Sequence, residues 1–210
     1  MKTIALFGGS GKTGQQFLEQ ALAKGYTIKA LVRNPAKVTQ TSPNLEVIKG
    51  DVLNPADVEK TVQDTDLVVS LFGQVKDSPK TVQTDGTRNI VATMQKCRVP
   101  RIISLSGGGL PYEKDQPKVP DKLIRFIMKV AVPHMLTDAQ GHYEVLKNSG
   151  LKWTIVRGPR LTDDPKQGTY RVGWVGVNAS TKISRSDLAD FVLKLVEDEQ
   201  YDAQMPFVSY

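Results

Sequence analysis

Gly8-Gly9-Ser10-Gly11-Lys12-Thr13-Gly14 follows the apolar run Thr3-Ile4-Ala5-Leu6-Phe7 and opens onto a segment of helical period, Gly11 to Ala23. A strand that passes through bare backbone into a helix gathers unpaired N–H groups and the positive helix end at one point, which suits a phosphate. Glycine is needed there because the chain turns tightly and a pyrophosphate must approach the backbone itself. Both Gly9-Gly11-Gly14 and Gly8-Gly11-Gly14 fit dinucleotide-binding spacings. Gly11-Lys12-Thr13 also fits part of the phosphate loop of ATPases, but that loop requires a glycine where Leu6 stands.

Working outward, short apolar runs predict strands at Thr3–Phe7, Thr27–Val32, Leu45–Ile48, Leu67–Leu71, Arg101–Leu105 and Trp153–Arg157. Helical segments near Gly11–Ala23, Pro55–Val62, Thr81–Lys96 and Thr137–Asn148 separate them. Gly25 and Gly150 are placed to end the helices before them through a left-handed backbone. Strict alternation of strand and helix predicts an α/β, doubly wound, mostly parallel sheet of the Rossmann kind. The 210 residues suffice for one NAD(P)-binding domain over 1–210, with a small C-terminal extension on the substrate side. That extension begins from the tail, where Ser186–Glu197 predicts a helix with Leu188, Phe191, Val192 and Leu195 inward, followed by a strand at Met205–Val208.

One stretch breaks the rhythm. Residues Gly107 to Leu136 contain Pro111, Pro117, Pro120 and Pro133, which predicts a broken excursion and not a single helix. Within it Leu123, Ile124, Ile127, Val130 and Ala131 share a helical face, with Lys122, Arg125 and Lys129 largely opposite. The excursion reads as a lid or a subunit contact.

At the end of the second strand, where an NAD-binding protein presents an acid to the ribose, this chain has Arg33. Arginine offers a fixed fork of donors to a phosphate, and Lys37 adds a second charge nearby, so the cofactor expected is NADP. Asp51 and Val52 follow the third strand, where they border an adenine, although Asp51 is also placed to cap the helix from Pro55. The net charge of +6 is scattered along the chain, which suits anionic small ligands and argues against nucleic acid. A lone Cys97 forms no internal disulfide, and Met1-Lys2-Thr3 leads straight into a strand, so the cytoplasm is the expected compartment. His134 and His142 lack a metal-ligand spacing, and no metal is expected. No stable membrane association is expected either, and the chain is expected as a monomer or homodimer.

Taken together, Ala5-Leu6-Phe7-Gly8, Leu31-Val32-Arg33, Gly50-Asp51-Val52-Leu53, Gly86-Thr87-Arg88-Asn89-Ile90-Val91, Ser149-Gly150-Leu151-Lys152 and Ile183-Ser184-Arg185-Ser186-Asp187-Leu188 resemble the atypical short-chain dehydrogenase/reductase family. Within it the similarity is to the biliverdin reductase B and NADPH flavin reductase group, nearly end to end. The resemblance implies cofactor contacts from Ser10, Gly11, Lys12 and Thr13, alongside Gly8 and Gly14 of the glycine motif. It further implies contacts from Arg33, Asp51, Val52, Leu71, Phe72, Gly73, Leu105, Ser106 and Pro159. The excursion is longer than in the vertebrate enzymes, and Arg160 stands where they place a histidine.

Tyr143 and Lys147 have the tyrosine-x-x-x-lysine spacing with which short-chain dehydrogenases protonate a carbonyl oxygen. A helix starting at Thr137 carries Tyr143 about 9 Å from its N-terminus, too deep for the crevice, so the pair reads as helix surface. By the resemblance, the usual tyrosine and lysine positions fall near Leu136 and Gln140. Without that acid, the expected reaction is hydride transfer from NADPH to a flavin or similar conjugated acceptor, which takes its proton from water. Ser106 is the candidate for orienting either partner, or else a cap for the turn after its strand, and Arg160 the candidate for attracting a substrate anion. A non-catalytic NADP redox sensor and a tyrosine-dependent carbonyl reductase or isomerase are the alternatives.

Overall fold

In the computed structural model, which describes residues 1–75 and 77–210, β1 (Thr3–Phe7) leads through the glycine loop into α1 (Lys12–Ala23). The chain continues with β2 (Thr27–Val32), a short 3-10 turn at Pro35–Lys37, β3 (Leu45–Lys49), α2 (Pro55–Val62), β4 (Leu67–Ser70) and α3 (Val82–Cys97). Then come β5 (Arg101–Gly107), α4 (Val119–Ala131), α5 (Pro133–Lys147) and β6 (Lys152–Gly158). Three short strands follow, β7 (Arg160–Thr162), β8 (Arg171–Gly173) and β9 (Lys182–Ser184), before α6 (Arg185–Lys194) and β10 (Phe207–Ser209).

The main sheet runs β3-β2-β1-β4-β5-β6-β10-β8, parallel throughout except where β8 lies antiparallel to β10. Strand order reverses between β1 and β4, so the crevice at their C-terminal ends is the switch point where ligands enter open α/β sheets. β1 and β4 are the most enclosed: Ile4 to Phe7 and Leu67 to Ser70 are all buried. Such continuous apolar runs are what a parallel strand covered on both faces requires.

On one face α1 packs with α6, and Phe17, Leu18, Leu188 and Val192 close over Leu6 and Val69. The other face is covered by α2, α3 and α5, with Val58, Ile90, Met94 and Leu146 against Ala5, Val68 and Ile102. Each such side chain contributes about 1.5 to 3 kcal/mol on leaving water. Gly25 and Gly150 adopt φ of 84° and 71°, the left-handed exits expected of them, and Leu188, Phe191, Val192 and Leu195 are buried as α6 requires.

The excursion is broken, as its prolines lead one to expect, and two of those prolines also start the helices it contains. Pro120 and Pro133 occupy the first turns of α4 and α5, where a missing N–H costs nothing. Consequently α5 begins four residues before the predicted Thr137. β7 and β9 form a separate parallel pair. At three residues each, β7, β8 and β9 are too short to show an alternating pattern, which is why the sequence did not reveal them. The final strand is Phe207–Ser209, shifted from Met205–Val208.

The start of the excursion is clamped by Arg157, whose side chain is wholly buried at the end of β6. Its guanidinium donates to both oxygens of Asp115 at 2.7 and 2.8 Å and to the carbonyls of Leu110 and Met205 at 2.8 and 2.9 Å. α4 then lies outside the core. Leu123, Phe126, Ile127 and Val130 face solvent, Phe126 at 64% exposure, so these apolar side chains cover little among the described residues.

Candidate functional site

The glycine loop is shaped by close approaches of backbone to backbone. Gly8 has φ of 85°, and a Cβ there would sit 2.6 Å from the Phe72 amide nitrogen. A Cβ on Gly14 would lie 2.1 Å from the Gly8 carbonyl oxygen. These two glycines therefore let the ends of β1 and β4 and the first turn of α1 converge. Gly11 is the N-cap of α1, with no side-chain cap and no acid in the first turn, so the leading N–H groups have neither an intrahelical acceptor nor a carboxylate competing with an anion. Gln15 donates to the carbonyls of Ser10 (3.2 Å) and Lys37 (3.1 Å), tying this loop to the turn after β2.

That turn is built by Asn34, whose side chain accepts from the Ala36 N–H at 3.1 Å. It leaves Arg33 and Lys37 exposed on either side, and neither forms an ion pair among the described residues. Lys12 differs: its ammonium meets Asp163 at 2.6 Å, and Asp163 also meets Arg185 at 2.6 Å. The Lys12 hydrogen bond, with Arg185 adding, holds the Asp163 carboxyl below the usual carboxylate range.

After β3, Asp51 accepts from the Leu53 N–H at 2.9 Å, while Asn54 caps α2 by accepting from Ala56. The alternative role of Asp51 as a helix cap therefore falls to Asn54. Val52 and Phe72 converge on Gly86 of α3, where a Cβ would lie 2.9 and 2.8 Å from their side chains. The result is an apolar ledge beside the crevice. Leu71 is buried behind it, and Gly73 stands open to solvent with nothing within 4 Å of an added Cβ.

At the other end of the crevice, Ser106 lies inside β5, 7% exposed, and its hydroxyl has no hydrogen-bond partner among the described residues. The expected alternative, a hydroxyl capping the turn after β5, does not occur. An unpaired buried hydroxyl costs about 1 to 3 kcal/mol unless a ligand satisfies it. Leu105 accepts from Gln83 at 3.0 Å, Pro159 is half-buried after β6, and Arg160 is exposed on β7 opposite Lys182. Two residues below Ser106, Ser104 bonds Nε2 of His142 at 2.8 Å. His142 is fully enclosed, and desolvation, opposed by the charge of Asp138, lowers its pKa to about 4.

Asp138 is a feature that sequence reasoning missed. From α5 it accepts the Gln83 N–H (3.0 Å), the Thr84 N–H (2.8 Å) and the Thr84 hydroxyl (2.7 Å), so one helix caps another. The nearest local signal was Thr81, which as N-cap of α3 bonds Asp85 instead of the helix.

Between α4, α5 and the loop after β5 is a cavity of about 540 Å³, walled by Gly109, Pro111, Arg125, Lys129, Leu136 and Gln140. Tyr143 does not reach it. Ten residues into α5, about 15 Å of rise, it packs edge-on against Trp153 near the N-terminal end of β6, with Lys147 over its ring at 5.5 Å. The pair reads from sequence as surface, but the tyrosine is half-buried packing.

A glycine cradle at the switch point of this strand order, with a helix N-terminus opening onto it, defines a dinucleotide-binding Rossmann protein. The chain belongs to the NAD(P)H-binding family, whose model matches residues 8–199. The protein YwnB of Bacillus subtilis strain 168 is 24% identical over 213 residues, spanning 94% of this chain and 93% of its own. Among solved structures, a short-chain dehydrogenase/reductase from Veillonella parvula DSM 2008 in complex with NADP superposes with a TM-score of 0.78 at 19% identity, covering 100% of this chain and 94% of that one. The anaerobilin reductase ChuY from Escherichia coli O157:H7 superposes with a TM-score of 0.79 at 19% identity, covering 99% and 96%. No helix among the described residues is long and apolar enough to cross a membrane.

Proposed function

We propose that this chain is an NADPH-dependent reductase of a flavin-like or related conjugated acceptor that works without a tyrosine general acid. The observation that carries the reading is the makeup of the wall of the cavity between α4 and α5. Where the family resemblance sets a tyrosine and a lysine, the wall presents Leu136, which has no proton to give, and Gln140, whose amide donates to Glu144 at 2.9 Å. Tyr143, the one residue with the catalytic spacing, packs against Trp153.

When bound, the cofactor supplies a hydride. The chain's own residues bind and orient. The first-turn amides of α1 hold the pyrophosphate, Arg33 with Lys37 grips the 2′-phosphate, and Val52 with Phe72 supports the adenine. Asp51, fixed by the Leu53 N–H, borders the adenine beside Val52. Ser106 spends its free hydroxyl on orienting the reacting partners, which is the alignment on which such a transfer depends. Arg160 stands at the mouth of the crevice as a positive charge toward an anionic acceptor. A conjugated acceptor that takes the hydride at an electron-poor centre collects its proton from water, so no buried acid is required. That an anaerobilin reductase shares the fold supports an acceptor of this kind.

The test is oxidation of NADPH against a panel of flavins, bilins, quinones and aldehydes, followed by loss of reduced-nicotinamide absorbance. Turnover with flavins or bilins and not with aldehydes is the expected result. Turnover with aldehydes alone, or NADPH binding with no turnover on any acceptor, refutes the reading.

A further inference from the structure

We propose that the cavity between α4 and α5 holds an anionic arm of the acceptor, a carboxylate or a phosphate, gripped by Arg125 and Lys129. The inference rests on the reductase reading and names a chemical property of its substrate. Arg125 and Lys129 stand one helical turn apart, both line the cavity, and neither forms an ion pair among the described residues. Two like charges at that spacing repel, and an anion between them removes the penalty. Glu144 also lines the space, but one of its oxygens already accepts from Gln140 at 2.9 Å. The N-terminal turn of α5 borders the same cavity with no side-chain cap and no acid, adding the positive end of a helix.

The rotation of α4 supports the same conclusion. Phe126, Ile127 and Lys129 are exposed while Arg125 and Met128 are partly buried on the inner side. Desolvation alone favours the opposite arrangement. Met128 fixes the rotation from within: a Cβ on Gly109 would lie 2.8 Å from its terminal methyl and 2.8 Å from Leu136. Gly109 follows Ser106 by three residues, so the two Cα atoms are within about 11 Å of each other. One acceptor is long enough to set its conjugated ring beside Ser106 and its charged arm in the cavity.

The experiment titrates the NADP⁺-saturated protein with two matched pairs: FMN against riboflavin, and biliverdin against its dimethyl ester. The charged member of at least one pair should bind tenfold or more tightly than its neutral counterpart. Preference for FMN identifies a phosphate arm, and preference for biliverdin a carboxylate arm. Arg125→Gln and Lys129→Gln should each reduce the preference several-fold, and the double variant should reduce it further, to the part that Arg160 supplies, with NADP⁺ affinity and binding of the neutral member unchanged. Arg125→Lys should retain part of it. Equal binding within both pairs, binding of none of the four, or a preference that the double variant leaves undiminished overturns the inference. Charge-dependent binding without oxidation of NADPH by any of the four instead refutes the reductase reading and leaves this one standing.

Discussion

Replacing Arg33 with alanine removes a cation that, at the end of β2, has no carboxylate partner among the described residues and stands exposed beside the glycine loop. Because no carboxylate among the described residues competes for it, its interaction with a 2′-phosphate should be lost undiluted on substitution. A hydrogen bond to a charged group is worth about 1.5 to 3 kcal/mol, which converts to roughly 10- to 150-fold in kcat/KM for NADPH. Exposure lets water and salt screen the contact, which sets the expectation at the lower end of that range. NADH has no 2′-phosphate and should change little. Lys37, on the far side of the same turn, should retain part of the preference, so Arg33→Ala/Lys37→Ala should go further than either single change. The assay is kcat/KM for both cofactors in wild type and the three variants at fixed ionic strength, repeated at higher salt. A wild type that prefers NADH, or an Arg33→Ala variant that weakens both cofactors equally, refutes the assignment of the phosphate to Arg33.

Tyr143→Phe should leave flavin or bilin reduction within a few-fold of wild type, since the ring packs on Trp153; a hundredfold fall in kcat with unchanged NADPH affinity reinstates a tyrosine acid. Gly14→Ala drives a methyl to within 2.1 Å of the Gly8 carbonyl, so NADPH affinity by fluorescence titration should fall at least tenfold, and retention of wild-type affinity removes the loop from the binding site. His142 has a folded pKa near 4 against a usual 6.5, so the unfolded chain binds the proton first as pH falls. Stability from this group is fully present above pH 6.5 and declines as pH drops towards 4, by up to about 3 kcal/mol. Urea unfolding of wild type should show that slope and His142→Gln should lack it; equal slopes exclude His142 as its source.

The strand-helix alternation and the glycine motif made the first half of the chain legible, because continuous apolar runs and bare backbone are local signals. Gly8, Gly14 and Arg33 sit at strand ends and a helix start, where position along the chain already sets position at the crevice. Ser106 was legible only as a candidate, since an unpaired hydroxyl becomes visible when its surroundings are assembled. Prolines carried two meanings, breaking a helix in its interior and starting one at its first turn; Pro133 does both, and sequence alone showed the break but not the start of α5. Arg157 with Asp115 and Asp138 with α3 were hidden for a different reason: each joins residues 42 or more apart, and no pattern of period or spacing records a contact across that distance. The cavity was illegible on the same ground, being made by the fold of α4 against α5.

The carboxylate of Asp138 gives α3 and α5 a common fate. A helix N-terminus ordinarily frays first, and its leading amides exchange with solvent through small local openings. Here the Gln83 and Thr84 amides are held from another helix, so their exchange requires the two helices to part. Their protection against deuterium should match that of the interior of α5. Since Gly86 of α3 backs the ledge of Val52 and Phe72 and α5 walls the cavity, ligand bound at either place should quiet the other through a shared opening event, without any change of shape passing between them.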